Sequence, residues 1–227
     1  MPAIKDKKGI SNHYVAQKGK DYFKWQRGWG EETGKIEARK FQKLISLNDD
    51  TLDFGCGGGY ILNALTCRSK IGVEVNEAAM DECRLKGIPV TDDISTIPDE
   101  SIDVVISNHS LEHVHNPFIS LTGIFRILRP NGRLVAFTPI DDWRSSRSYN
   151  ESDVHHHLYT WTPQNFGNLL TDVGFKLERI TLFTYCWPPK VVHLNRALPE
   201  PLFDFTCRVW GTLVHYRQIK TLATKPI

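Results

Sequence analysis

Two sets of residues in this chain have the types and spacing to do chemistry. One is a glycine-rich run with an acid before it and another after it; the other is a scatter of histidines further on. The first is Thr51-Leu-Asp-Phe-Gly-Cys-Gly-Gly-Gly-Tyr60. A short apolar stretch carrying Asp53 runs into Gly55, Cys56, Gly57 and Gly59, and an apolar helix pattern (Tyr60, Ile61, Leu62, Ala64, Leu65) follows. That order reads as strand, tight turn, helix. Glycine lets the backbone turn sharply and lets a ligand approach it closely. The free N–H groups of a helix start can hold a carboxylate or a phosphate. The chemistry is that of a nucleotide-type pocket, and a glycine turn made for packing alone is the other reading. Spacing separates the options. A dinucleotide loop requires G-x-G-x-x-G, and its third glycine would fall at position 60, which is Tyr60. A G-x-x-x-x-G-K-[ST] phosphate loop needs a Lys-Ser or Lys-Thr that does not follow.

The acid after the loop is Glu74, at the far end of Ile71-Gly-Val-Glu-Val75 and nineteen residues beyond Gly55. In a βαβ unit the second strand ends beside the first, so its terminal acid can accept hydrogen bonds from both hydroxyls of a ribose. A solvated acid at a strand end is the alternative.

The histidines are the candidate proton acceptors, since an imidazole titrates near neutral pH. His109 directly follows Asn108 at the end of a predicted strand, where open parallel sheets place their ligands. His113 lies in Leu-Glu-His-Val and also suits a helix start or a packing position; His115 follows it. His157 closes the run His155-His156-His157, ahead of Leu-Tyr-Thr-Trp-Thr-Pro. Three adjacent histidines raise metal binding, with Asp141, Asp142 and Asp153 as the acids at hand. Neighbours in sequence rarely face one ion, and the spacing matches no recognised ligand set. The sequence is therefore read as holding no metal.

The elements that must position these residues follow from periodicity. A helix is predicted over 35–47, strand 51–54, helix 60–67, strand 71–75, helix 77–86, strands 89–91 and 103–107, helix 117–128 and strand 133–138. A helix over 163–173 has Thr162 as its cap and Pro163 at its first position, and strands follow near 176–185 and 216–224. Such alternation means a mostly parallel sheet covered on both faces. Residues 1–34 are polar with scattered aromatics and two glycine hinges, at 28 and 30. Residues 187–213 form an insertion whose Leu202, Phe203, Phe205, Val209 and Trp210 suit one face of a helix; extra core, a substrate wall and a dimer contact are its three readings. At 227 residues, one domain over 1–227 is expected, with residues 1–46 as a helical, aromatic cap. A net charge of +2 offers no basic stripe for nucleic acid. No membrane span or signal-peptide core is seen, and five scattered cysteines without a C-x-x-C pair suggest reduced thiols in a cytoplasm.

The glycine loop with Glu74 resembles the class I S-adenosylmethionine-dependent methyltransferases, small-molecule branch. The resemblance extends through Asp92-Asp-Ile94, Ser101 to Val114, Ile127-Leu-Arg-Pro-Asn-Gly-Arg-Leu-Val-Ala-Phe-Thr138 and His157-Leu-Tyr-Thr-Trp-Thr-Pro, with interruptions from about residue 40 to the C-terminus. It implies a Rossmann-like, doubly wound α/β sheet, mostly parallel, whose C-terminal strand is antiparallel. It implies S-adenosylmethionine held by Asp53, Gly55, Cys56, Gly57, Gly59, Glu74, Val75, Asp93, Ile94 and Asn108, with Asp92 or Asp93 near the adenine. Methyl transfer from a sulfonium is an in-line displacement that needs alignment and exclusion of water, and a hydroxyl acceptor also needs a base, for which His157 and His109 are the candidates. The expected function is methylation of a small molecule, such as a hydroxyl of a sugar or secondary metabolite. A protein or RNA methyltransferase, and a non-catalytic cofactor-binding relative that regulates a partner, are the alternatives. The absence of an Asn-Pro-Pro-Tyr segment argues against DNA adenine.

Overall fold

Apolar runs of the kind that pair when buried on both faces build the frame. A computed structural model of the chain describes residues 11–140 and 148–227. Its sheet comprises β1 (Asp50–Phe54), β2 (Ser69–Val73), β3 (Val90–Thr91), β4 (Ile102–Asn108), β5 (Leu128–Pro139), β6 (Lys176–Phe183) and β7 (Gln218–Thr224), in the order β3-β2-β1-β4-β5-β7-β6. Strands β1 to β5 pair in parallel. Strand β7 runs antiparallel to both β5 and β6. This is the Rossmann-like sheet with an antiparallel C-terminal strand that the sequence predicts. The order reverses between β1 and β4, so a crevice opens at their C-terminal ends, where ligands bind in open α/β sheets. The glycine loop leaves β1 there, and His109 leaves β4.

Strand alternation sends side chains to two cores. Val105, Leu134 and Ala136 face α4 (Pro117–Ile127) and α5 (Pro163–Val173), packing with Leu121, Ile124, Phe166 and Leu170. Val104, Ile106, Val135 and Phe137 face α1 (Ala16–Gln42), α2 (Tyr60–Ala64) and α3 (Glu77–Leu85), packing with Phe41, Leu62 and Cys83. The predicted cap of α5 forms as a capping box between Thr162 and Asn165, with Pro163 in the first turn.

The structure corrects several boundaries. The helix predicted over 35–47 is the end of one 27-residue helix, α1, which stops at Gln42. Gly28 and Gly30 are not hinges. A Cβ on Gly30 would lie 2.2 Å from the Tyr60 ring, and one on Gly34 would lie 2.6 Å from Tyr60 Cβ and 2.8 Å from its backbone. These glycines form a groove for Tyr60, which is why the helix period fails there. Helix α2 ends at Ala64, and β2 ends at Val73, so Glu74 and Val75 lie just past the strand. The turn expected between 128 and 133 is absorbed into β5 as a register shift against β4, with Asn131 at φ +65°. The 187–213 insertion folds as a 3₁₀ segment, Pro189–Arg196, and α6 (Glu200–Leu213). Of its apolar positions Phe203 is buried, with Cys207, beside Ile36 and Tyr185, while Leu202, Phe205, Val209 and Trp210 are exposed. Among the described residues no helix is long and apolar enough to cross a membrane.

The Tyr60 groove yields a paired prediction. Gly28 is exposed with open space around its Cα, so Gly28→Ala should stabilise the protein by about 0.8–1 kcal/mol through helix propensity. Gly34→Ala should destabilise it by about 1–3 kcal/mol through overpacking against the Tyr60 backbone. Urea unfolding of both variants checks this; two changes of the same sign would show that α1 does not pack on Tyr60 in this way.

Candidate active site

Two cavities open at the crevice. The smaller, about 470 Å³, lies over the ends of β1 and β2 and is lined by Glu74, Val75, Asp92, Asp93, Ile94 and Ser110 among others. The larger, about 770 Å³, reaches from the glycine loop past Asp53 to a wall of Trp25, Trp29, Trp187 and Tyr216. Gly55, His109, His113, Tyr22 and Gln26 line both, so the cavities meet at the loop and the end of β4.

The loop owes its shape to Glu74. Its Oε2 accepts from the Gly57 N–H at 2.8 Å, and its Oε1 accepts from the N–H groups of Val75 and Asn76 at 2.8 Å each. Three of roughly four acceptor positions on the carboxylate are thereby filled by backbone. Gly55 and Gly57 take φ of +78° and +52°, a region that side chains disfavour. A Cβ on Gly55 would strike Ser110 at 2.3 Å, and one on Gly57 would crowd Gln26 at 3.0 Å. The space over the loop is thus kept for backbone and ligand.

Asp53 is fully buried, lines the larger cavity, and has no hydrogen-bond partner for Oδ1. Burial, with the Glu74 charge second, pushes its pKa up to about 8. Burial also raises Glu74, against the three backbone donors that lower it. Two carboxylates held above their usual range favour a cationic ligand, which would stabilise their ionised forms.

At the junction, His109 has φ +54° and places Nδ1 3.2 Å from Glu112 Oε1 and Nε2 3.1 Å from Gln218 Oε1. Gln218 donates its Nε2 to Tyr185 O at 3.0 Å, and buried Lys40 donates to both Gln218 Oε1 (3.3 Å) and Asn108 Oδ1 (2.8 Å). Both partners of His109 are oxygen atoms, so both of its ring nitrogens are engaged. Glu112 is fully buried; its backbone carbonyl accepts from the N–H groups of Leu158 (2.9 Å) and Tyr159 (3.2 Å), fixing the 155–162 segment over the sheet. His157 lines the larger cavity with its ring centroid 4.9 Å from that of His113. Burial lowers the pKa of both imidazoles, that of His113 to about 4. Tyr159 and Trp161 stack at 5.4 Å beside this segment.

The predicted residues thus divide. Gly55, Glu74, Val75, Asp93 and Ile94 line the smaller cavity; Asp53, Gly55 and Gly57 line the larger. Asp93 Oδ1 also caps the short turn at Ser95. Cys56 meets the cavity, but its thiol turns into the core, 3.8 Å from Cys83 Sγ. Gly59 lines neither cavity and faces Ile88 and Cys83, whereas Gly58, not predicted, lines the larger. Asn108 is held by Lys40 and Glu37 on the α1 side, away from the smaller cavity. Asp141 and Asp142 lie outside the described residues. Sequence reasoning missed Tyr22, Gln26, Lys40, Glu112 and Gln218. The Leu-Glu-His-Val pattern held Glu112 in plain view; the others become neighbours only through tertiary contact.

The comparisons agree with the fold and the loop. A methyltransferase-domain family model matches residues 52–136. An uncharacterized methyltransferase of Schizosaccharomyces pombe is 37% identical over 105 residues, 40% of each chain. A ubiquinone biosynthesis O-methyltransferase of Pseudomonas syringae pv. tomato is 30% identical over 182 residues, 69% of this chain and 73% of that one. The first curated relatives are matched over only about two fifths of their length. In fold, the chain is similar to the structure of a Haloferax volcanii complex between the Trm112 methyltransferase activator and a putative methyltransferase: TM-score 0.64, 17% identity, covering 92% of this chain and 95% of that one. The chain belongs to the class I S-adenosylmethionine-dependent methyltransferases. The cofactor of that family carries a sulfonium and an ammonium group, the cationic character that buried Asp53 and Glu74 favour.

Two predictions follow from the acids. Glu74→Gln turns an amide nitrogen toward one of three backbone donors and should cost about 1.5–3 kcal/mol of stability; unfolding in urea at wild-type stability would show that the clasp is not formed. For Asp53 the folded pKa, about 8, lies above the unfolded value of about 3.9. Its favourable protonation is fully present below the unfolded value and is lost as pH rises through the folded one. The stability of Asp53→Asn relative to wild type should therefore rise between about pH 4 and pH 8. A gap independent of pH would show that Asp53 titrates normally.

Proposed function

We propose that the chain transfers the methyl group of S-adenosylmethionine to a hydroxyl of a small ring-bearing acceptor, of sugar or secondary-metabolite type. The observation that carries this reading is the meeting of the two cavities at Gly55, His109 and His113. The smaller suits a nucleoside, with Glu74 for the ribose and Val75, Asp93 and Ile94 about the base. Asp53, Gly55 and Gly57 would take the cationic tail. The larger cavity offers the faces of Trp25, Trp29 and Trp187, surfaces on which a ring can lie flat. The O-methyltransferase name of the Pseudomonas relative supports oxygen as the accepting atom.

In the transfer the acceptor oxygen forms its bond to the methyl carbon as the carbon–sulfur bond breaks in line, and a neutral thioether leaves. Alignment and exclusion of water supply most of the acceleration. The hydroxyl proton goes to an unprotonated group at the junction. His157 is our candidate, because burial holds its pKa below the usual histidine value and leaves the ring neutral at pH 7. His109, bonded at both nitrogens, positions the junction as a donor.

S-adenosylhomocysteine at about 100 times its Kd should stabilise the protein by about 2.7 kcal/mol, and NAD should not. A melt shifted by NAD and not by S-adenosylhomocysteine would overturn the cofactor reading. With sugar- and phenol-type acceptors, His157→Gln should lower kcat by about 10²–10⁴-fold with cofactor affinity and Tm unchanged. Wild-type turnover in His157→Gln would remove the histidine from the chemistry.

A further inference from the structure

One group beneath the junction of the cavities has a chemical task left over. Glu112 Oε2 is fully buried and has no hydrogen-bond partner. One ligand-type atom from each of Glu112, His113 and His157 lies within 4.8 Å of the others. Two imidazole nitrogens and one carboxylate oxygen form the donor set that proteins use for zinc and for non-haem iron with open coordination positions. Magnesium and calcium, which prefer all-oxygen sites, suit it poorly.

The surroundings are those of ligands already aimed. Tyr14 Oη donates to His155 O at 2.5 Å and lies 2.7 Å from His113 Nδ1. With its own proton committed, Tyr14 accepts from Nδ1–H, which holds the His113 ring in place. The other Glu112 oxygen, Oε1, is engaged by His109. Metal-binding histidines and carboxylates are oriented in this way by hydrogen bonds on the side away from the ion. The peptide groups of Leu158 and Tyr159, bonded to Glu112 O, carry His157 to the same point. No recognised ligand spacing is seen in the sequence, because the three residues come from two distant segments, 112–113 and 157.

We propose that Glu112, His113 and His157 bind one divalent transition-metal cation, zinc or iron(II) by donor type, at the junction of the two cavities. For what the ion does, the inference rests on the reading of the larger cavity as the acceptor site. A hydroxyl on an open coordination position would ionise more readily. It would give its proton to water, attack the methyl carbon as the carbon–sulfur bond breaks, and release the neutral thioether. With the ion bound, His157 would hold it, and the ion would take over the activation of the hydroxyl that the metal-free reading assigns to His157.

The test uses the full chain stripped of metal. Calorimetry with Zn²⁺ and visible spectroscopy with Co²⁺ should show one site per chain, with Co²⁺ bands of low-symmetry coordination. His157→Ala and Glu112→Gln should each weaken Zn²⁺ by about 100-fold or more, as loss of a ligand should exceed the 10–100-fold known for outer-shell changes. His156→Ala should retain wild-type affinity, since its ring stacks on His13 instead. A metal-free melt of His157→Ala equal to wild type shows that folding is not the cause. No stoichiometric binding, or equal losses in His156→Ala and His157→Ala, would overturn the site. S-adenosylhomocysteine binding is measured on the same metal-free protein. If it binds and Zn²⁺ does not, this inference alone falls; if Zn²⁺ binds and it does not, the cofactor reading falls and the ion site stands.

Discussion

The buried carboxylate of Glu112 ties together three parts of the chain that would otherwise meet only loosely. Its side chain engages His109 at the end of β4, and its backbone carbonyl holds the 155–162 segment. That segment in turn supplies His157 and stacks Tyr159 against Trp161. A carboxylate taken wholly out of water is costly unless its oxygens are satisfied. Here burial acts to raise the pKa of Glu112, and the hydrogen bond with His109 helps bring it below the usual value. The cost is met at one oxygen and left open at the other, so the arrangement is rigid on its outer side and receptive on its inner side.

Around this point the charges are sorted by face. Asp53 and Glu74 approach from the β1–β2 side, and Lys40 approaches from α1, buried with Glu37, Asn108 and Gln218 and lying 4.4 Å from the centre of the Phe137 ring. Glu74 therefore faces the smaller cavity and Asp53 the larger, on either side of the glycine loop. The buried lysine fixes the amide that positions His109. The far ends of the strands carry a separate network in which Arg68 and Arg129 bridge Asp50 and Asp103. Hydrogen bonding to Arg68 holds Asp50 well below the usual carboxylate range. The two ends of one sheet thus put carboxylates to different uses: Asp50 is ionised and paired at one end, while Asp53 and Glu74 are raised in pKa at the other.

The parts of this arrangement that were legible in the sequence are those whose cause is local. The glycine loop, Glu74, the strand periodicity and the Thr162–Pro163 helix start each depend on a few consecutive residues. Helix α1 before residue 35 was not legible, because Gly30 and Gly34 are explained by Tyr60, which approaches from another element. Gly59 looked like part of the ligand loop but faces Cys83 and Ile88, and Cys56 faces Cys83, so loop membership did not reveal side-chain direction. Gln218 lies at the start of the last strand and acquires its role only when β7 inserts between β5 and β6. Long-range packing made the helix boundary, the dyad of His109 and Glu112, and the gathering of His113 with His157.

The proposed function requires one ligand to span both cavities, with its nucleoside at Glu74 and its reactive end at the His113–His157 junction. A crystal structure of the full chain with S-adenosylhomocysteine tests this most directly. Adenosine is expected between Glu74 and Ile94, the amino-acid tail beside Asp53, and the sulfur directed toward the cavity walled by Trp25, Trp29 and Trp187. Adenosine bound elsewhere, or a sulfur turned away from that cavity, would contradict it.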